Sequence, residues 1–298
     1  MLMPRHTKLL FLLGIAILLF ACNGGKMPQQ TVIFPSIKDV PDSAWEQLSN
    51  KTIYFGHHSV GANIIDGIKD LMAEHPKMKL NIVETDNSSE FERPLFAHSR
   101  VGKNRDTKSK IDGFVSVMDK GLGTKADIAF FKFCYVDFTT QTNVNKVFAE
   151  YKTSMSILKH KYPDVQFVHF TAPLESTSIS HNLKIWLKNF LGVSWKWKKW
   201  WLKRFWSFIW NQKDNITRND FNELIREEYE GKELIFDLAK IESTYPDGRV
   251  EVFTENKKTY FSLLPLYTDD GGHLNERGRK KVAEQLLILL ANIANNQL

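Results

Sequence analysis

A chain of 298 residues with 43% apolar and 25% charged residues can bury a sizeable core in one or two domains. Its formal charge of +6 is uneven, because Ser176–Lys213 holds eight Lys and Arg and no acid, and removing those eight leaves −2 for everything else. The basic balance is therefore local and argues against nucleic acid as a partner.

The first residues stand outside the core. Arg5, His6 and Lys8 precede an apolar run, Leu9–Phe20, broken only by Gly14 and followed by Ala21-Cys22-Asn23-Gly24. A short basic head and an apolar stretch of this length read as an export signal, too short to span a membrane as a helix. With Cys directly after Ala21, the stretch resembles a bacterial lipoprotein signal. That resemblance implies cleavage after residue 21, acylation of Cys22 and a lipid anchor in the cell envelope. An ordinary cleaved signal or an uncleaved anchor is the alternative. Gly24–Ser36 is polar and Pro-containing, so residues 22–45 are expected to form a tether. Cys134 is then the only other thiol, and its apolar surroundings predict an inert buried residue rather than a nucleophile.

Residues 46–298 are expected to form the domain. Lys51–Phe55 predicts a short strand and Ala62–Glu74 an amphipathic helix, with Gly56-His57-His58-Ser59-Val60-Gly61 between them. Leu80–Val83 predicts a second strand, and Glu84–Arg105 a long polar loop that includes Gly102. A helix over Lys110–Met118, a central strand over Ala126–Val136 and a helix over Val144–Lys161 follow. Val165–Thr171 predicts a fourth strand leading to Glu175. Ile216–Tyr229 predicts a helix, Glu233–Asp237 a strand, and the stretch to Leu264 hairpin or irregular structure. A last helix begins near Glu276. Strands alternating with helices imply a parallel sheet covered on both faces, with ligands beyond the carboxyl ends of its strands. Ser59, Gly102, Tyr135, Asp137, Glu175, Asp270 and His273 are all expected on that rim.

Asp270 and His273 lie three apart on a Gly-rich turn. A carboxylate there can fix an imidazole's tautomer and leave its other nitrogen free as a base. Taken alone, the pair reads first as a helix start capped by Asp269 or Asp270, with His273 a surface residue. Ser59 occupies a tight strand-to-helix connection that exposes a hydroxyl beside backbone N–H groups, and its bland alternative is a cap on a helix starting at Ala62. A serine needs an adjacent base to act as a nucleophile. Delivery of Asp270 and His273 to the same rim turns the expectation towards catalysis.

Strand–G-H-H-S-V-G near the start and D-G-G-H-L-N-E-R-G-R before the last helix resemble the first and last blocks of the SGNH (GDSL-type) hydrolases, over roughly Thr52 to Ile293. The resemblance implies a flavodoxin-like three-layer α/β/α sandwich with a parallel central sheet, and ester-hydrolase activity that needs no metal or cofactor. It implies Ser59 as nucleophile, His273 as base, Asp270 as its orienting acid, and the N–H groups of Ser59 and Gly102 as an oxyanion hole. His57, His58 and Tyr135 are expected to line the pocket. The chain departs from the family pattern in two places. His58 stands where Asp normally precedes the nucleophile, and the third strand ends Lys132-Phe133-Cys134-Tyr135-Val136-Asp137 without the family's Asn, a donor to the oxyanion. Losing one such donor costs about 10²–10³ in rate. Asn104, Asn143 and Tyr135 are the substitutes the sequence offers. Lys132, charged within an apolar strand, is expected to be paired, with Asp137 as partner, or to snorkel.

Two other constellations fail. The Gly-x-Ser-x-Gly elbow of α/β-hydrolases is missed at His57, and that fold keeps its acid and His well apart. A metal held by His57, His58 and His273 would need adjacent histidines on one centre and lacks the spacing of a zinc motif.

The segment at about 176–213 contains seven of the eight Trp residues. On a helical wheel Trp197, Trp201, Phe205 and Phe208 share a face, which Lys198 and Trp200 interrupt. Trp rings and cations suit a bilayer interface, so Trp195–Trp210 is expected to touch the membrane; a cap over the site and a sugar-stacking platform are the alternatives. The sequence thus supports a membrane-tethered serine esterase acting on O-acyl groups, acetyl groups on carbohydrate among them. The alternative is a non-catalytic envelope or glycan-binding lipoprotein on the same scaffold.

Overall fold

The computed structural model describes residues 31–92, 94–178 and 195–296, and side chains throughout these except 195–211. The signal region, Cys22 and the side chains of Trp195–Trp210 lie outside the described residues.

The chain-order elements are α1 (Asp42–Ser49), β1 (Thr52–His57), α2 (Ser59–Glu74), β2 (Ile82–Glu84), β3 (Leu95–Arg100), α3 (Thr107–Asp119), β4 (Ile128–Phe131) and α4 (Val144–Lys161). After these come β5 (Gln166–Phe167), β6 (His169–Phe170), α5 (Trp195–Tyr229), β7 (Ile235–Phe236), α6 (Leu238–Glu242), the hairpin β8 (Val252–Glu255) and β9 (Lys258–Phe261), and α7 (Glu276–Ala294). Five strands pair in the order β2-β3-β1-β4-β5, all parallel. Val168, between β5 and β6, still donates to Ala129, and β6 pairs in parallel with β7, which carries the layer one strand further.

Alternation along the central strands builds two cores. Ile53 and Phe55 of β1 and Ile128 and Phe130 of β4 face α1, α2 and α7. Tyr54, Ala129 and Phe131 face α3, α4 and α5. Strands β1 and β4 are buried on both faces, as a parallel sheet with helices on either side requires. The result is the expected α/β/α sandwich.

Three expectations need correction. The polar loop predicted over 84–105 contains β3, which lies next to β1 in the middle of the sheet. Two of its polar residues are buried with partners: Ser99 Oγ meets the Tyr54 hydroxyl at 2.7 Å and His98 Nδ1 meets His57 Nε2 at 3.0 Å. A polar side chain so satisfied can sit in a central strand, where composition alone reads loop. Packed structure also begins before residue 46, because Ile37, Ala44 and Trp45 are buried against α2 and α7. The helix predicted from Ile216 is the end of a longer one, since α5 begins at Trp195. Among the described residues, no helix is long and apolar enough to cross a membrane.

Candidate active site

The β1–α2 connection is very short. His58 is the N-cap in an extended conformation, and Ser59 is already the first helical residue, three positions earlier than the sequence predicts. His58 makes no side-chain cap hydrogen bond and Ser59 caps nothing; Gly61 N turns back to the His58 carbonyl at 2.6 Å, and the N–H groups of Ser59 and Val60 donate to no described residue. The Ser59 side chain is exposed and bonded to no described residue. In place of capping, His58 Nε2 reaches the carbonyls of Val101 and Gly102, each at 3.0 Å. Two carbonyls can only accept, so Nε2 carries the proton. Burial, then the charge of Lys110, lowers the His58 pKa and keeps that ring neutral. His58 thereby ties the Ser59 turn to the Gly102 turn.

Gly102 is exposed at φ +63°, and a Cβ there would come within 2.5 Å of Ser109 and Lys110 backbone. Its N–H donates to no described residue. Below this loop, Asp137 accepts from Arg105 N at 2.8 Å, Cys134 N at 2.6 Å and Lys110 Nζ at 2.5 Å, with both charged side chains fully buried. The expected Lys132–Asp137 pair is therefore replaced by Lys110–Asp137. Lys132 Nζ donates to the Phe133 carbonyl at 3.0 Å, and burial pulls its pKa down. Cys134 is a free, buried thiol.

The Asp270 turn is built by its own hydrogen bonds. Asp270 Oδ1 accepts from Gly272 N at 2.9 Å and His273 N at 2.8 Å, and Oδ2 meets His273 Nδ1 at 2.6 Å. Neither Asp269 nor Asp270 caps the following helix. Asn275 does so, accepting from Gly278 N at 3.0 Å. Burial alone would raise Asp270, but the His273 ring and the two N–H groups overcome it and hold the carboxyl well below the usual range. The same carboxylate raises His273, against partial burial. A proton shared with a carboxylate at Nδ1 leaves Nε2 with its lone pair outward.

Asn63, which the sequence reading passes over, links the two halves. It lies one turn beyond Ser59 on α2, and its Oδ1 accepts from Leu274 N, the residue after His273, at 3.3 Å. An Asn on an amphipathic helix gives no sequence signal that its partner is 211 residues away.

Among the expected pocket residues, His57 is buried. Its Nδ1 meets the His58 carbonyl at 3.2 Å, so its Nε2 accepts from His98, and burial followed by the charge of Lys132 pushes its pKa down to about 3. His57 and His58 thus use their nitrogens on different partners and do not converge on His273. Tyr135 does converge: its hydroxyl lies 3.5 Å from His273 Nε2, with the rings edge to face at 78°. The other two substitutes for the absent Asn spend their acceptor Oδ1 elsewhere. Asn104 Oδ1 accepts from Lys110 and Asn143 caps α4. Behind Tyr135, the buried Arg218 donates to its carbonyl at 2.8 Å, pairs with Glu175 at 2.8 Å and lies over its ring at 5.8 Å. The sequence reading does not single out Arg218 at all.

No family model matches the chain, and no curated protein matches it. Solved structures do. A GDSL-like lipase from Bacteroides thetaiotaomicron is similar over 84% of this chain and 90% of its own length, with a TM-score of 0.45 and 8% identity. An acetyl esterase mutant crystallised with acetate ion is similar over 83% of this chain and 98% of its own, with a TM-score of 0.42 and 11% identity. The fold of the present chain rests on its own sheet order and packing.

Proposed function

We propose that this chain is a serine ester hydrolase in which Ser59, His273 and Asp270 act together. The observation that carries the reading is the 2.6 Å bond from Asp270 to His273 Nδ1, which directs a basic Nε2 outward on a turn tied through Asn63 to the helix that begins at Ser59. Ser59 Oγ attacks an acyl carbon while Nε2 takes its proton, and the carbonyl π pair moves onto oxygen. As that oxygen re-forms its double bond, the C–O bond to the alcohol breaks and Nε2 returns the proton to the leaving oxygen. Water, activated by the same nitrogen, then releases the acid. The unspent N–H groups of Ser59 and Gly102 stabilise the charged oxygen.

The chain is further proposed to be exported and lipid-anchored through Cys22, with O-acyl groups of carbohydrate, acetyl among them, as substrates and Trp195–Trp210 at the membrane surface. These points rest on the Leu19-Phe20-Ala21-Cys22 run and the Trp/Lys composition. Deleting residues 195–210 from the lipid-free protein is expected to abolish binding to anionic vesicles, and undiminished binding would remove the interfacial role.

A second reading, a glycan-binding protein without catalysis, draws on the Ser59 hydroxyl, which bonds to no described residue, His273 included. Hydrogen bonds of this kind are often long before substrate binds. Labelling the lipid-free chain with a fluorophosphonate and assaying short-chain aryl esters separates the two. Labelling and turnover lost in both Ser59→Ala and His273→Ala support the hydrolase; an unlabelled, inactive wild-type chain supports the binding protein.

A further inference from the structure

We propose that Tyr135 is a further catalytic residue whose hydroxyl donates a hydrogen bond to the charged oxygen of the tetrahedral intermediate. The inference rests on the hydrolase reading above. It begins from placement. Tyr135 opens the short turn Tyr135–Asp137 just past β4, at the carboxyl rim of the sheet where Ser59 and Gly102 also lie. Its hydroxyl is 3.5 Å from His273 Nε2, at the outer limit for a hydrogen bond. The phenol is thus beside the catalytic nitrogen without being consumed by it. In the reaction Nε2 bonds first to the attacking oxygen and then to the leaving oxygen, and both are attached to the tetrahedral carbon. A donor next to Nε2 is therefore within reach of the third oxygen on that carbon.

The protonation state fits the role. Burial first, then the charges of Glu175 and Asp270, raise the phenol's pKa far above neutral, so the hydroxyl stays protonated and able to donate. The aim of the ring is set by a rigid mount. Arg218, itself 2% exposed, holds the Tyr135 carbonyl through Nε, and its other nitrogens are occupied by Asn215 Oδ1 at 2.7 Å and Glu175 Oε2. Asn215 in turn bonds both backbone groups of Glu175, at 3.0 and 2.7 Å. On the opposite side Gly272 lets the ring approach: a Cβ there would stand 2.8 Å from Tyr135 Cζ. A donor pre-aimed in this way needs no reorganisation as charge develops, which is where such groups contribute most. Arg218 and Gly272 are positioning residues, since neither is placed against the substrate.

Tyr135→Phe tests this, because it keeps the ring that packs on Gly272 and Arg218 and removes only the donor. Its melting temperature is expected to match wild type. On an aryl ester, kcat is expected to fall about 10²–10³-fold with KM little changed. Affinity for an alkyl boronic acid, whose tetrahedral adduct with Ser59 mimics the charged oxygen, should fall in step. The acid limb of the pH profile should keep its midpoint. Activity of Tyr135→Phe within threefold of wild type overturns the proposal and leaves the hydrolase reading standing. So does a loss that disappears at high pH through a displaced acid limb, which would make Tyr135 only a tuner of His273. A wild-type chain that neither labels nor turns over overturns both.

Discussion

Lys110 and Asp137 meet fully buried, 2.5 Å apart, and this contact joins the two loops that flank the site. Lys110 belongs to the first turn of α3 behind Gly102, and Asp137 ends the turn that Tyr135 opens. Asp137 also takes the N–H groups of Arg105 and Cys134, so one carboxylate sets the spacing between both loops.

Removing the cation alone should therefore be costly. Lys110→Met leaves a buried carboxylate without its counter-charge, and a loss of about 3–5 kcal/mol is expected by chemical denaturation. Replacing the pair with Lys110→Met/Asp137→Leu should not restore wild-type stability, because the buried Cys134 N–H then loses its acceptor, at about 1–3 kcal/mol, and the part-buried Arg105 N–H loses its own. Full recovery in the double variant would show that the carboxylate's backbone bonds contribute nothing.

The pH profile follows from His273. Its pKa is raised by Asp270, and the base works only when neutral, so activity should be full at high pH and fall as pH drops through that raised value. The midpoint of the acid limb in kcat/KM is expected above ~6.5, the ordinary His value. In Asp270→Asn the amide cannot take the Nδ1 proton as a carboxylate does. The midpoint should move down and kcat/KM should drop about 10²–10⁴-fold. A midpoint unmoved by this change would mean that another group controls the limb.

Gly272 is a steric test of the same corner. Gly272→Ala would place a methyl 2.8 Å from Tyr135 Cζ, and the ring, fixed from behind by Arg218, has to shift. Turnover of an aryl ester is expected to fall about 10²-fold, the scale of a ~1 Å misplacement. In a Tyr135→Phe background the same substitution should cost much less, because the donor is already gone. Equal losses in both backgrounds would separate Gly272 from the hydroxyl.

Glu242 carries a stability prediction away from the chemistry. It is buried, accepts from Leu174 N, and burial pushes its pKa up to about 8, with the Leu174 bond and the Lys132 charge opposing. The folded chain then holds a proton that the unfolded chain releases at ~4.3. This group's contribution to stability falls as pH rises from that value to about 8. Glu242→Gln keeps the acceptor and removes the titration, so its melting temperature relative to wild type should rise between pH 5 and pH 8. A difference that is constant with pH would place the ionisation elsewhere.

The period of the apolar residues made most of the sandwich legible. Helix α4 runs over the predicted Val144–Lys161, and α7 starts at the predicted Glu276, because periodicity, an Asn cap and apolar spacing all agree locally. Two of the failures share one cause. Strand β3 reads as a loop because His98 and Ser99 look solvated until their partners on β1 are known. Lys132 looks in need of Asp137 until Lys110 is seen to reach it first. Satisfaction of a buried polar group is a property of two distant segments, so one segment cannot display it.

The site divides along the same line. Asp270 and His273 are three residues apart, and the turn that joins them is closed by hydrogen bonds within those residues, so sequence alone determined that this acid and this imidazole would meet. The exposed Ser59 hydroxyl and the unspent N–H groups beside it likewise follow from a strand entering a helix with almost no connector. Tertiary structure alone decided what surrounds them. It brought Asn63 to Leu274, set Lys110 rather than Lys132 against Asp137, and held Tyr135 beside Nε2 with an arginine 83 residues away. Local chain geometry propagates over a few residues, whereas the aim of a donor at a reacting atom is set by every segment packed behind it.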